Sequence, residues 1–333
     1  MNIVTRPHRT NLVRFAARYP EVVVLSADLT SSCEADLLRD QRPGQFLSLG
    51  MAEQNMVSFA GGMAREGLTP WVHTFAVFLT RRTYDQVAMS VAYPNLPVRL
   101  VGFLPGITTP GGVTHQAVDD LALMRSIPNM TIIECGDATD VESSLEVAQA
   151  VDGPVYLRML RGLVPRLFPV EEPLVLGRCR VLGRGADVAV LTTGICTEEG
   201  VRALRALRRR GLEATHLHVS TLKPFPREEV LDALAGVRRG VVVLENHSVI
   251  GGLGSATAEV MAEAGLGVPL VRLGLQDVYA QGAGREYLMA KHGLDAAALV
   301  TAIEGLAGTP FGVPAEELAA DVTAPDDDRV EDL

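Results

Sequence analysis

Short β-branched runs alternating with helix-length stretches constrain this chain more than any other feature. Runs at residues 22–25, 98–101 and 155–157 are separated by helical patterns near 52–66 and 137–150. Strands spaced this way call for parallel pairing with crossover helices, which is an α/β architecture. The pattern starts again with a run at 188–191, a helix near 197–210, a run at 215–219, a helix near 227–235 and a run at 241–244. Parallel sheets are covered on both faces, so two such series predict two three-layer α/β/α domains. Pro165, Pro169 and Pro173 punctuate the stretch between the series. The boundaries are accordingly set at 1–165 for the first domain, 166–175 for a linker, 176–306 for the second domain and 307–333 for an acidic tail.

Composition excludes several classes. With 47 % hydrophobic residues in 333, the chain can bury a large core. Its apolar runs are only a few residues long, far short of the roughly 20 needed to cross a bilayer, so no membrane span is expected. The opening residues lack the apolar stretch of a secretory signal, and a cytoplasmic address is expected. A formal charge of −10 argues against nucleic acid as a partner, because phosphate backbones select basic surfaces. Much of the acidic excess falls in 307–333, which reads as a solvated tail. Cys33, Cys135, Cys179 and Cys196 are scattered without a C-x-x-C pair, so neither a disulfide framework nor a thiolate zinc site is suggested.

Two local patterns stand out. Residues 51–62 put small and apolar side chains all round a helix, as in a helix buried or packed against another subunit. Gly251, Gly252 and Gly254 lead into a helix at 255–263, a geometry able to hold an anion, although such glycines more often serve the tight turn alone.

Three segments together resemble the C-terminal half of transketolase and the second chain of transketolases split into two polypeptides. They are Leu25-Ser26-Ala27-Asp28-Leu29, then Gly50-Met51-Ala52-Glu53-Gln54-Asn55, then His73-Thr74-Phe75 through Phe78 with Thr114-His115-Gln116 and Ser126-Ile127-Pro128-Asn129-Met130. The resemblance runs from about residue 6 to 306. It implies a domain that binds the aminopyrimidine of thiamine diphosphate, followed by a transketolase C-terminal domain. The Gly-Asp-Gly and downstream Asn that hold Mg2+ and the diphosphate in the family's other half are missing, so this chain supplies no metal ligand. The resemblance therefore implies a partner, an N-terminal diphosphate-binding subunit, in an α2β2 heterotetramer that transfers a two-carbon ketol unit from a ketose.

The resemblance assigns roles residue by residue. Glu53 matches the glutamate that hydrogen-bonds the pyrimidine ring nitrogen N1′ and promotes deprotonation of the thiazolium carbon. Phe75 and Phe78 match the rings packed against the pyrimidine. Asp28 and Leu29 match the loop beside it, and Arg81 stands where many transketolases have tyrosine. His115 matches the histidine that approaches the substrate's reacting oxygens. Arg161 matches the arginine that grips a sugar phosphate, while Arg6 and Ser32 fall near two further phosphate contacts, with Arg9 close by. Leu104 and Gly111 replace a histidine and an aspartate that read the donor's hydroxyls, which implies an atypical substrate. Deoxyxylulose-phosphate synthase, the β subunit of a 2-oxo-acid dehydrogenase and a non-catalytic paralogue are the alternatives. The Thr-His-Gln and Ser-Ile-Pro-Asn-Met pair leans away from the dehydrogenase.

Overall fold

The computed structural model describes residues 2–319. Its first half runs β1 (Asn2–Thr5), α1 (Pro7–Ala16), β2 (Val22–Ser26), α2 (Asp36–Gln41), β3 (Phe46–Ser48), α3 (Glu53–Arg65) and β4 (Thr69–Phe75). Two π-helical stretches, Phe78–Arg82 and Val87–Ala92, flank the single turn α4 (Tyr84–Gln86). Then come β5 (Arg99–Phe103), α5 (Asp120–Ser126), β6 (Thr131–Glu134), α6 (Ala138–Gln149), β7 (Val155–Met159) and β8 (Leu163–Arg166). The second half comprises β9 (Cys179–Gly183), β10 (Val188–Thr192), α7 (Cys196–Arg208), β11 (Ala214–Val219), β12 (Thr221–Lys223), α8 (Arg227–Leu234) and β13 (Gly240–Ser248). It ends with α9 (Leu253–Glu263), β14 (Leu270–Leu275), α10 (Arg285–His292), α11 (Ala296–Ala307) and α12 (Ala315–Ala319).

The larger sheet has the order β12-β6-β7-β5-β4-β2-β3 and is parallel except for β12. Successive side chains of a strand point to opposite faces, and the core divides accordingly. Leu25, Val72, Leu100 and Tyr156 lie side by side in register and enter one apolar cluster. Their neighbours Val24, Trp71, Val101 and Leu157 enter the cluster on the other face. Strands buried on both faces need continuous apolar runs, which is why the short β-branched segments were legible.

The second sheet, β14-β13-β10-β11-β9, is parallel except for β9. One second-half strand does not join it. β12 pairs antiparallel with β6 and extends the first sheet, so the two series are woven together rather than laid end to end. A buried polar network lies across the same junction. Arg158 on β7 donates to Asp120 at 2.7 Å, to Glu134 and to the Asn246 carbonyl at 3.1 Å, and Thr193 donates to Glu134 at 2.9 Å. A buried guanidinium is tolerable only when its donors are met in this way.

The structure refines three sequence expectations. The helix at 51–62, expected to be buried or packed against another subunit, is buried on one face within this chain. α3 buries Met56, Val57, Ala60 and Gly61, while Phe59 is exposed, and so are Met51 just before it and Met89 and Tyr93 nearby. Close packing explains the small residues, since a Cβ on Gly61 would lie 2.6 Å from the Ser90 carbonyl oxygen. The glycine-rich turn before α9 is already filled by the chain's own carboxylate. Glu245 accepts the backbone N–H of Leu253 at 2.6 Å and of Gly254 at 2.8 Å, and a Cβ on Gly252 would fall 1.9 Å from its Oε2. The acidic tail begins as structure, not as a solvated segment. Leu318 of α12 is buried and Glu317 bonds Arg210 at 2.6 Å. The remainder, residues 320–333, lies outside the described residues.

Candidate active site

Parallel α/β sheets place functional groups at the carboxyl ends of their strands, and the predicted residues gather there in two clusters. The first forms around the end of β4 and the start of α3. Glu53 is the first residue of α3, where a carboxylate meets the positive end of the helix. Only 2 % of it is exposed. Phe75 closes β4, fully buried, and Phe78 lies three residues on with its ring stacked at 6.0 Å. His115, on the short turn Val113–His115, stands edge-on to Phe78 at 5.4 Å, and its Nδ1 is 2.9 Å from Thr114 Oγ1. Gly111 backs this ring, because a Cβ there would lie 3.1 Å from the imidazole carbon.

Arg82, which the sequence reading passed over, completes the cluster. Its Nη1 donates to Glu53 Oε2 at 2.7 Å, and the guanidinium carbon lies 4.3 Å from the centre of the Phe78 ring. Arg81, the arginine that reading favoured, turns the other way and donates to Asp119 at 2.8 Å. The wider π-helical turn Phe78–Arg82 brings the fifth residue back over the first, so Arg82 shares a face with Phe78. Two adjacent arginines cannot be told apart by sequence until that turn is known.

The second cluster joins three distant segments. Arg161 follows β7 and donates to the Ser32 carbonyl at 3.2 Å, and the Arg6 N–H donates to the Gly162 carbonyl at 2.6 Å. Arg6 itself adopts a left-handed backbone, φ 48°, where it caps α1. Ser32 is buried, and its hydroxyl has no hydrogen-bond partner among the described residues. Glu34, in the same loop as Ser32, ties the segments together by accepting the N–H of Gly162 at 2.7 Å and of Arg9 at 3.2 Å. Burial pushes its carboxyl up to about 7 against the opposing pull of those N–H groups and of the Arg6 and Arg161 charges.

The remaining residues frame the clusters. Asp28, exposed and left-handed at φ 68°, turns the chain from β2 into the Ser32 loop, and Leu29 is buried beside it. Leu104 directly follows β5 with φ 54°, a strained conformation for leucine, and packs in the same apolar cluster as Leu29 and Phe75. A cavity of about 280 Å³ lies between the two halves and meets these residues only through Arg161.

The model of the transketolase pyrimidine-binding domain matches residues 8–166, and that of the transketolase C-terminal domain matches residues 177–299. A transketolase-family protein of Sinorhizobium fredii is 39 % identical over 297 residues, covering 88 % of this chain and 86 % of that protein. The chain belongs to the transketolase family. A Clostridium protein described as a 6-deoxy-6-sulfo-D-fructose transketolase subunit is 40 % identical over 292 residues, covering 87 % of this chain and 90 % of that one. A solved split-gene transketolase, an inactive β4 tetramer, superposes with a TM-score of 0.81 at 35 % identity, over 90 % of this chain and 96 % of that one. A 1-deoxy-D-xylulose-5-phosphate synthase of Synechococcus is 34 % identical over 91 % of this chain, which spans 48 % of that longer protein. The chain is thus a split-transketolase subunit of an enzyme class that depends on thiamine diphosphate. No helix among the described residues is long and apolar enough to cross a membrane.

Proposed function

We propose that this chain is the pyrimidine-side subunit of a cytoplasmic two-chain transferase that moves a two-carbon ketol unit from a ketose bearing a terminal anion. The observation that carries this reading is the buried Glu53 carboxylate facing a planar guanidinium stacked on Phe78. A flat hydrogen-bond donor already fits there, and the aminopyrimidine of thiamine diphosphate presents the same combination of ring face and polar edge.

When bound, thiamine diphosphate supplies the carbon acid and the electron sink. Glu53 holds the proton it shares with ring nitrogen N1′. Phe75 and Phe78 shield the ring from water and fix its plane. Thr114 Oγ1 orients His115 through Nδ1, and Nε2 serves the substrate's reacting oxygen. Arg6, Ser32 and Arg161 take the terminal anion, with the Ser32 hydroxyl, which has no hydrogen-bond partner among the described residues, as one donor. Leu104 and Gly111 offer no hydroxyl-reading side chain, so the donor's stereochemistry is weakly read. The substrate in the Clostridium relative's name ends in a sulfonate, in keeping with an anion that need not be phosphate.

Mg2+ and the diphosphate are assigned to the partner chain in an α2β2 assembly. Two observations support an interface-built site. Exposed Met51 and Phe59 lie just before and on α3, and exposed Met89 and Tyr93 lie on and just after the π-helical stretch that packs against it at Gly61. The related split-gene β subunit is inactive as a β4 tetramer. The test is to assay the purified chain with thiamine diphosphate and Mg2+, alone and after adding a diphosphate-binding chain. Ketol transfer is expected only from the mixture. Turnover by the single chain at a comparable rate would overthrow the two-chain reading.

A further inference from the structure

The second half of the chain bears on the chemistry through one loop of the first. Residues 104–119 leave the end of β5, carry His115 and return to α5, and the Gly106 N–H closes the base of this loop by donating to the Ala117 carbonyl at 2.8 Å. That base is seated in the second half. Asn246, buried on β13, accepts the Ile107 N–H at 3.0 Å and donates to the Pro105 carbonyl at 3.0 Å, and a Cβ on Gly106 would fall 2.2 Å from its Oδ1. The Ser248 N–H donates to the Val118 carbonyl at 2.8 Å. Ile107 and Val118 belong to the apolar cluster of Val190, Leu244, Leu275 and Ala280, not to either cluster of the first sheet.

The tip of the loop is held as closely. Gln116, 1 % exposed, donates to the Gln281 carbonyl at 3.2 Å, and Lys291 of α10 donates to the Gln281 side chain. Two glycines let the backbones touch. A Cβ on Gly282 would lie 2.9 Å from the Pro110 carbonyl oxygen, and one on Gly112 would lie 3.3 Å from the Gly282 nitrogen. The imidazole is one step away, since the His115 N–H donates to the Gly112 carbonyl at 2.9 Å and Gly111 lies against the ring.

We infer that Asn246, Gln116 and the Gln281–Gly282 backbone are the positioning groups of His115, so that the second half of the chain sets where Nε2 meets the substrate. The inference rests on the reading of His115 as the group that serves the substrate's reacting oxygen. Asn246 and Ser248 fix the stems of the loop, and the contacts at Gln116 and Gly282 fix its tip. The tip matters most for the chemistry, because a misplacement of about 1 Å at a reacting group can cost about 10²-fold in rate.

Two substitutions loosen the tip. Gly282→Ala presses a methyl group on the Pro110 carbonyl, and Gln116→Leu removes the bond to Gln281 without leaving a buried donor. In the enzyme assembled with a diphosphate-binding chain, transfer from 6-deoxy-6-sulfo-D-fructose to glycolaldehyde is read as erythrulose. Each variant should lower kcat about tenfold with KM for the donor nearly unchanged, because Arg6, Ser32 and Arg161, assigned to its terminal anion, lie in the first half. His115→Ala should lower kcat by about 10²–10⁴. Adding Gly282→Ala to His115→Ala should cost nothing further, since a group that acts through His115 then has nothing left to position. Losses that multiply in the double variant would make Gly282 a merely structural residue and overturn the inference. Wild-type kcat in both single variants beside a slow His115→Ala would also overturn it and leave the reading of His115 standing, whereas wild-type kcat in His115→Ala would sink that reading itself. Amide hydrogen exchange of the full chain tests the hold without substrate or partner. In Gly282→Ala and Gln116→Leu, residues 107–116 should exchange several-fold faster while β5 and β7 keep their wild-type protection. Unchanged exchange in that loop overturns the inference whatever the turnover.

Discussion

Glu53 and Glu245 are buried glutamates at the N-termini of helices, one in each half of the molecule, and the structure uses them oppositely. Glu245 is closed in by its own chain, both oxygens satisfied by backbone N–H groups of α9, with Gly252 making room for it. Glu53 is bound by one side chain, Arg82, whose guanidinium is nearly half exposed. A carboxylate satisfied by backbone can leave only if the fold opens. One satisfied by a long, exposed side chain can change partner at the cost of a single hydrogen bond. The same residue type at a similar place is thus a structural cap in one half and an available group in the other.

The largest expected effect falls on the available group. Glu53→Gln in the assembled enzyme should slow proton exchange at the thiazolium carbon by about 10²–10⁴, the usual reach of general acid–base assistance. Its melting temperature should stay close to the wild type. Exchange at the wild-type rate would place Glu53 outside the mechanism, and a large drop in stability with little change in exchange would make it a second Glu245.

Glu245 should show the reverse pattern. Glu245→Ala leaves two buried N–H groups unpaired, at about 1–3 kcal/mol each, so the chain should be destabilised. The pH dependence sharpens this. Burial raises Glu245 to about 7, so between its unfolded value near 4.3 and 7 the folded state holds more protons than the unfolded. Wild-type stability should therefore fall, relative to Glu245→Gln, as pH rises through that window, by on the order of 3 kcal/mol, and the difference should be flat above it. Denaturant unfolding of both proteins at pH 5, 6, 7 and 8 measures it. A difference that grows with pH in favour of the wild type would mean that the carboxylate is stabilised, not strained, by α9.

The two glutamates also differ in how well sequence revealed them. The parallel strands were legible because burial on both faces forces apolar runs, and Glu53 stood out within a motif of small residues. Glu245 follows the apolar run of β13 without any local sign of what its side chain caps, since Leu253 and Gly254 are eight and nine residues away. The glycines before α9 were visible, but their reason was not: they clear space for a carboxylate. β12 escaped notice because three residues carry too little pattern to show which sheet they join. Glu34 and Arg82 were missed for a related reason, since their partners come from residues 128 and 29 positions distant.

The smallest expected effect concerns Arg82 and tests whether Glu53 is truly available. Arg82 bonds Glu53 Oε2 and covers Phe78, so an aminopyrimidine that takes both contacts must first displace the guanidinium. The displaced hydrogen bond and cation–π contact are each worth about 1 kcal/mol at an exposed site, and part of that returns when the freed arginine is solvated. Arg82→Ala should therefore bind thiamine more tightly than the wild-type chain, by a few-fold and at most about tenfold. Quenching of intrinsic fluorescence on titration with thiamine reads this without a partner subunit or turnover. Glu53→Gln serves as the companion variant, because it weakens the hold on the guanidinium and on the ring alike and should not reproduce the gain. Weaker thiamine binding in Arg82→Ala would show that the arginine supports the ring instead of standing in its place, and would bring Glu53 closer to the closed behaviour of Glu245.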